Sequence, residues 1–345
     1  MRAPAAPRPL AGGEASGPAV AAKTRFDSKL LAAGGGSALW SARARPNQSP
    51  MLQAIPYHLG AFFARFAPMW VCVAITWTIG EANWRLRPGT RRLVAENLRI
   101  IHPEWTPAQR RRLARRVVHE FARSILLFLQ MPFLDPKELF ARCDLSALRA
   151  EIDRLGPNRP FVIATGHIGP WELGGYCLTH LGYRVHTVAL DHPSAHVTKF
   201  FSARRAYLGI HAHPLTGSFP ALKAAVDHGE VVALLIDRAY GKARKRFRFF
   251  GVATELPLGH LVLSARARVP ILTGALVFDG RDRFRYVHGG TYSPDETLDE
   301  FDQLDALQEN CLRDLERIIH AHSDQWFHFL PLVQTEARGG ESGSP

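Results

Sequence analysis

The stretch FVIATGHIGPWELGG (Phe161–Gly175) decides how this chain folds. An apolar, β-branched run, Phe161–Thr165, lies between Pro160 and Gly166 and reads as a short buried strand. Helical spacing follows over Trp171–Leu181. His167 therefore falls on a Gly-flanked turn at a strand's carboxyl end, where open α/β sheets bind their ligands. The alternation continues downstream, with strand-like runs at Val185–Leu190, Val231–Ile236 and Ile271–Phe278. Helical stretches lie between and after them at Val197–Leu208, Phe219–Asp227, Leu258–Ala267 and Leu298–His322. This pattern predicts an α/β fold with a mostly parallel central sheet flanked by helices.

Upstream the chemistry differs. The Ala/Pro/Gly-rich leader, residues 1–50, lacks hydrophobic periodicity and is expected to be disordered, as is the tail over 333–345. It has no apolar run of the length a secretory signal needs, and Met51, where ordered sequence is expected to begin, is a candidate for the true start. Ala61–Gly80 (AFFARFAPMWVCVAITWTIG) is the most lipid-like segment, but Arg65 and Pro68 interrupt it. The clean apolar length falls short of the roughly 20 residues that a span requires. A buried core helix and a membrane-surface helix are the two readings; the Trp70 and Trp77 rings suit the second. Trp84–Ser124 holds eleven Arg against Glu96, Glu104 and Glu120. Within it Thr106-Pro-Ala-Gln109 has the form of a helix start. Leu113, Val117, Phe121, Ile125 and Leu129 then form one apolar stripe, with Arg111, Arg112, Arg115 and Arg116 largely off it. Those arginines are either a solvated face or one apposed to anionic headgroups. The expected organisation is a helical, membrane-associated N-terminal region over 51–135 and an α/β catalytic region over 136–332.

The whole chain has 345 residues, 46% of them hydrophobic and 21% charged, enough for a large core and incompatible with a disordered protein. Lys and Arg exceed Asp and Glu by 43 to 31, a net charge of +12 that points to an anionic partner. Four scattered cysteines without a CxxC pair argue against a disulfide scaffold or a zinc ribbon.

Two strand ends carry candidate chemistry. At the first, Glu172 follows His167 by five positions, and a carboxylate set on an imidazole fixes its tautomer and stabilises the imidazolium. At the second, Leu234-Leu-Ile-Asp237-Arg238 precedes a basic and aromatic loop through Lys242, Arg244, Lys245, Arg246 and Arg248 to Phe249-Phe250-Gly251. That loop reads as solvated, or as a contact for a phosphorylated ligand or a membrane. Histidines at 192, 196, 211 and 213 invite a metal, but Pro193 and Pro214 spoil the helical geometry, and no metal or cofactor is expected. G-x-S-x-G, Walker and G-x-G-x-x-G motifs are absent, and Cys177 reads as a core residue; without a plausible Ser or Cys nucleophile, direct attack by a base-activated acceptor is favoured over covalent catalysis.

The order of these features resembles the lipid A biosynthesis lauroyl/myristoyl acyltransferase family, which also includes phosphatidylinositol mannoside acyltransferases. Arg91-Arg-Leu-Val-Ala-Glu-Asn-Leu98 through Pro103 looks like its N-terminal region, and Gly166–Gly175 like its H-x4-[DE] block. Arg205 before Gly209, Gly229–Arg238 with Phe249-Phe250-Gly251, Pro257 and Gly259, and Asp324-Gln-Trp326 match further blocks. The resemblance implies transfer of a fatty acyl group from acyl-carrier protein or coenzyme A to a hydroxyl of a membrane lipid or glycolipid. Its setting is the cytoplasmic face of an inner membrane, with an anionic surface as partner and no nucleic acid. On that reading His167 is the general base and Glu172 orients it. Arg205, Arg238 or backbone N–H groups near Gly166 and Gly169 stabilise the oxyanion, and Asp237 and Arg238 position substrate. The rivals are a catalytically inactive scaffold of the same fold, which thioester turnover distinguishes, and a basic nucleic-acid binder, which would need a recognisable module.

Overall fold

The computed structural model describes residues 54–156, 159–241, 243–295, 297 and 300–333. The expected disordered leader, the Met51 start, Lys242, Leu298 and the tail from 334 lie outside them.

The apolar segment Ala61–Gly80 is divided between two helices, α1 (Ile55–Phe66) and α2 (Met69–Leu86), separated at Ala67–Pro68. Pro68 lacks an N–H and cannot continue α1, so it starts α2 instead. α3 (Pro88–Ile101) and α4 (Pro107–Gln130) follow. The start of α4 is the capping box expected from sequence. The Thr106 hydroxyl accepts from the Gln109 N–H at 3.3 Å, and Gln109 Oε1 accepts from the Thr106 N–H at 2.8 Å. Of the α4 stripe, Val117 and Leu129 are buried and the other three half-buried.

After α5 (Pro136–Phe140) come β1 (Cys143–Asp144), α6 (Ser146–Leu155), β2 (Val162–Thr165), α7 (Trp171–His180) and β3 (Val185–Ala189). They are followed by α8 (Ala195–Tyr207), β4 (Ile210–Pro214), α9 (Phe219–Asp227) and β5 (Val231–Leu235). The remainder is β6 (Arg244–Phe249), β7 (Val252–Pro257), α10 (Gly259–Ala267), β8 (Ile271–Phe278), β9 (Phe284–Tyr292) and α11 (Glu300–Ala321). Seven strands form one sheet in the order β1-β9-β8-β2-β5-β3-β4, parallel except for β8 with β9. A tight turn through Gly280 joins that pair, with the Asp279 N–H donating to Arg283 O at 2.9 Å, and a turn so short compels antiparallel pairing.

Alternate residues of the central strands feed two apolar layers. Val162, Ala164 and Val232 join Leu222, Leu261, Leu315 and the inner face of α4 on one side. Phe161, Ile163 and Val231 join Leu173, Leu178, Leu139 and Leu148 on the other. Both faces are thus covered, as a parallel sheet requires.

The basic and aromatic segment after β5 is not a solvated loop. Arg244–Phe249 and Val252–Pro257 pair as a separate antiparallel hairpin. Its two turn residues, Phe250 and Gly251, have φ of 50° and 74°, the left-handed geometry that a two-residue hairpin needs. Alternation turns Phe249 into the core while Arg244, Arg246 and Arg248 face outward.

Candidate active site

β2 and β5 are neighbours, with Thr165 opposite Leu235, so the residues two positions beyond each strand emerge together: His167 and Asp237. The imidazole Nδ1 lies 2.7 Å from Asp237 Oδ1, and the His167 backbone N–H donates to Oδ2 at 3.0 Å. Trp326 Nε1–H donates to the same Oδ2 at 2.9 Å, and His328 Nδ1 lies 3.7 Å from it. Asp237 is completely buried. Burial pushes its carboxyl up, but His167, His328 and Arg238 outweigh that and hold it well below the usual carboxylate range. The ionised carboxylate makes Nδ1 the protonated nitrogen of His167, leaving the Nε2 lone pair free to act as a base. For His167, burial and then the Arg238 charge lower the pKa more than Asp237 raises it, so the ring is neutral at pH 7.

Glu172 does not orient His167 through a hydrogen bond. From the first turn of α7 its carboxylate faces α8, where Arg205 Nε reaches Oε1 and Oε2 at 3.0 and 3.1 Å and Nη2 reaches Oε1 at 2.6 Å. A guanidinium offers a carboxylate two parallel donors, whereas Nδ1 of His167 is already spent on Asp237. The sequence expectation placed the orienting role on the nearer carboxylate; the structure gives that contact to the farther one. Replacing Glu172 by Gln should therefore act mainly on stability. It leaves a largely buried Arg205 charge uncompensated, at a cost on the order of 3 kcal/mol. Thermal unfolding checks this, with a loss of activity smaller than that of an Asp237 variant as the accompanying result.

Gly169 is required by shape. A Cβ on Gly169, whose φ is +53°, would sit 2.3 Å from Leu276 O. On Gly166 it would only meet the Asp237 carboxyl at an ordinary contact distance of 3.4 Å. The oxyanion donors expected from this turn are largely committed elsewhere. Gly169 N–H donates to Gln325 O at 2.9 Å, Ile168 N–H to Gly166 O at 2.7 Å, and His167 N–H to Asp237. Arg238 donates through Nη2 to Phe327 O, while its buried Nε has no protein partner.

The family resemblance marks Asp324–Trp326 as a block without placing it at the site, and the segment Gln325–His328 is what packs there. It runs antiparallel to the His167 turn, with an Ile168–Trp326 bridge and Phe327 N–H donating to His167 O at 2.8 Å. Trp171 closes the opposite side, edge-on to the imidazole at 5.5 Å between centroids.

His167, Trp171, Arg205 and Arg238 line a cavity of about 960 Å³, at the upper end of the range of about 300–1,000 Å³ for ligand sites. One end is apolar and runs between α1, α2 and α4 past Phe63, Ile75, Ile79, Ile125 and Leu126. The other is polar and lies beyond β3, β4 and β5, with Asp191, His192, His213, Ser218 and Tyr240. Outside the cavity the same helices carry an apolar crest. Leu59, Phe62, Phe66, Met69, Val73 and Trp77 are exposed, and Trp70 is 74% exposed. Among the described residues no helix is long and apolar enough to cross a membrane. Half of the Arg111–Arg116 face serves internal pairs: Arg115 with the buried Glu81 at 2.8 Å and Arg116 with Asp324 at 2.5 Å. Arg111 and Arg112 remain exposed.

A mostly parallel sheet covered on both faces, with a buried carboxylate–imidazole pair opening on a large, mainly apolar cavity, has the outline of an α/β enzyme with room for an apolar ligand. The family model for bacterial lipid A biosynthesis acyltransferase matches residues 51–335, and the chain belongs to that family. It is also similar to the phosphatidylinositol mannoside acyltransferase of Mycolicibacterium smegmatis, 26% identical over 170 residues, which cover 48% of this chain and 54% of that protein. The chain thus spans about half the length of this curated relative.

Proposed function

We propose that this protein transfers a fatty acyl group from a thioester, carried on acyl-carrier protein or coenzyme A, to a hydroxyl of a membrane lipid or glycolipid. The observation that carries the reading is the His167–Asp237 pair opening on the large, mainly apolar cavity. His167 Nε2 takes the proton of the acceptor hydroxyl as its oxygen attacks the thioester carbonyl. Arg238, which lines the cavity, supports the resulting oxyanion, a role typically worth about 3–4 kcal/mol. Collapse breaks the carbon–sulfur bond, and the imidazolium returns its proton to the departing thiolate. Asp237 keeps Nδ1 protonated throughout. Arg205, clamped on Glu172, shapes the cavity wall, and no cofactor takes part.

The test is direct. Purified protein is given radiolabelled palmitoyl-coenzyme A or palmitoyl-carrier protein together with vesicles containing phosphatidylinositol, its mannosides or a lipid A precursor. Label in a lipid ester supports the reading; failure of both donors to lose their acyl group with every acceptor refutes it.

The protein docks on the cytoplasmic leaflet, where both donors are found, through the apolar crest of α1 and α2, with Arg111 and Arg112 near the anionic headgroups. Aromatic side chains suit that interface, and each basic residue near it contributes about 1 kcal/mol. Replacing Phe62, Phe66 and Trp70 together by Ser should weaken binding to anionic vesicles by at least about a hundredfold, judged by the apolar area removed from lipid. Co-sedimentation measures this. Unchanged binding by the folded triple variant removes the crest from the interface.

A further inference from the structure

Behind the polar end of the cavity, three histidine rings stack across the β3–β4 edge. Parallel pairing sets His186 opposite His211 and Val188 opposite His213. The His186 ring lies 4.9 Å from that of His211 and 5.2 Å from that of His213, nearly parallel to both. A hydrogen-bonded chain runs through the stack. His213 Nε2 is 2.9 Å from His186 Nδ1, and His186 Nε2 is 2.6 Å from Glu230 Oε2. Arg184 holds the other carboxylate oxygen of Glu230 at 3.2 Å. His213 is a cavity wall, His186 is buried and Glu230 is half-buried. This is not a metal centre, because the nitrogens are turned on one another; among the described residues no group of three such ligands could hold an ion.

The chain has a direction. A carboxylate only accepts, so His186 Nε2 carries a hydrogen. Its Nδ1 is then a lone pair while the ring is neutral, and His213 must donate its Nε2–H to it. The remaining nitrogen, His213 Nδ1, is thereby an acceptor, and it has no protein partner among the described residues. Burial lowers the pKa of both rings and His211 adds to that, while Glu230 pulls His186 upward. The other titratable or charged groups in contact with the chain are His211, against the His186 ring, and Arg184, against Glu230.

We propose that His213 is a positioning residue for the acceptor, taking a hydrogen bond at Nδ1 from a hydroxyl of a polyol headgroup, with His186 and Glu230 holding it in the accepting tautomer. The inference rests on the acyl-transfer reading and deepens it by naming the headgroup chemistry. An accepting nitrogen suits a sugar or inositol hydroxyl and repels a bare phosphate, which needs donors. Protonation of His186 reverses the chain: its Nδ1–H donates to His213 Nε2, and His213 Nδ1 becomes a donor.

Two measurements on the full-length protein test this. In side-chain ¹⁵N NMR at pH 7, His213 should show an unprotonated Nδ1 that shifts on adding octyl β-glucoside; a protonated Nδ1, or no shift, overturns the proposal. In kinetics with palmitoyl-coenzyme A and phosphatidylinositol micelles, His213→Phe should raise the KM for the acceptor about tenfold, one hydrogen bond's worth, with a smaller change in kcat. His213→Asn, which keeps an acceptor near the Nδ1 position, should recover most of that loss. In Glu230→Gln, Arg184 retains the carbonyl oxygen and the amide turns its NH₂ to His186, so the KM should already be high at pH 7, where wild type reaches it only in acid. A KM within twofold of wild type in both His213→Phe and Glu230→Gln overturns the proposal. If wild type turns over no thioester and acylates no lipid, the transferase reading fails instead, and the NMR titration still decides His213.

Discussion

Replacing His167 by Ala is expected to lower the rate of acyl transfer by about 10²–10⁴-fold, the usual contribution of a positioned general base. The protein should remain folded. The turn is held by Phe327, Gln325 and Gly169 through backbone bonds that need no imidazole, and the backbone N–H to Asp237 survives. The loss of one donor to a buried carboxylate should cost about 1–3 kcal/mol. Circular dichroism and thermal unfolding separate the two effects: activity lost only in proportion to folded protein would make His167 structural. The wild-type pH profile carries the same signature. The imidazole must be neutral to act, so the rate falls as pH drops through its pKa, and burial with Arg238 sets that limb below the ordinary value of about 6.5.

Asp237→Asn should be at least as severe, about 10³–10⁴-fold, by analogy with the carboxylate of Ser-His-Asp triads. The amide can turn its NH₂ towards Nδ1, which then becomes the acceptor. The proton moves to Nε2, and the lone pair no longer faces the acceptor hydroxyl. Asp237 also raises the His167 pKa, so its removal should shift the residual acid limb to lower pH. A metal-free fluorogenic thioester assay across pH measures both. If Asp237→Asn proves mild while Glu172→Gln proves severe, the nearer carboxylate is the orienting one after all. The geometry argues for the reverse, with Asp237 at 2.7 Å from the ring and Glu172 taken up by Arg205.

The strands and helices around the site were legible wherever one residue's surroundings are local. Ile271–Phe278 is fully buried and reads as an unbroken apolar run, and Phe219–Asp227 keeps its helical spacing. β9 went unread although Asp279-Gly280 marks a turn before the alternation Phe284-Arg-Tyr-Val. β4 is not legible in the sequence because His211 and His213 are polar residues on an edge strand, where burial does not impose an apolar pattern. In β6 the arginines hid a strand whose inward positions, Phe247 and Phe249, carry the alternation.

The residues around His167 and Asp237 mark each as a strand-end residue, and local chemistry is enough for that. Which carboxylate meets the imidazole depends on sheet order, a property of the whole packing. β5 inserts beside β2 although α7, β3, α8, β4 and α9 separate them along the chain, and that adjacency brings together groups 70 positions apart. Trp326 and Arg205 arrive in the same way, each from another element. Spacing along the chain measures only what a single helix or turn can bring together. Contacts between elements are selected by how their apolar faces fit, so the catalytic pairing emerges only when the sheet has closed its two layers.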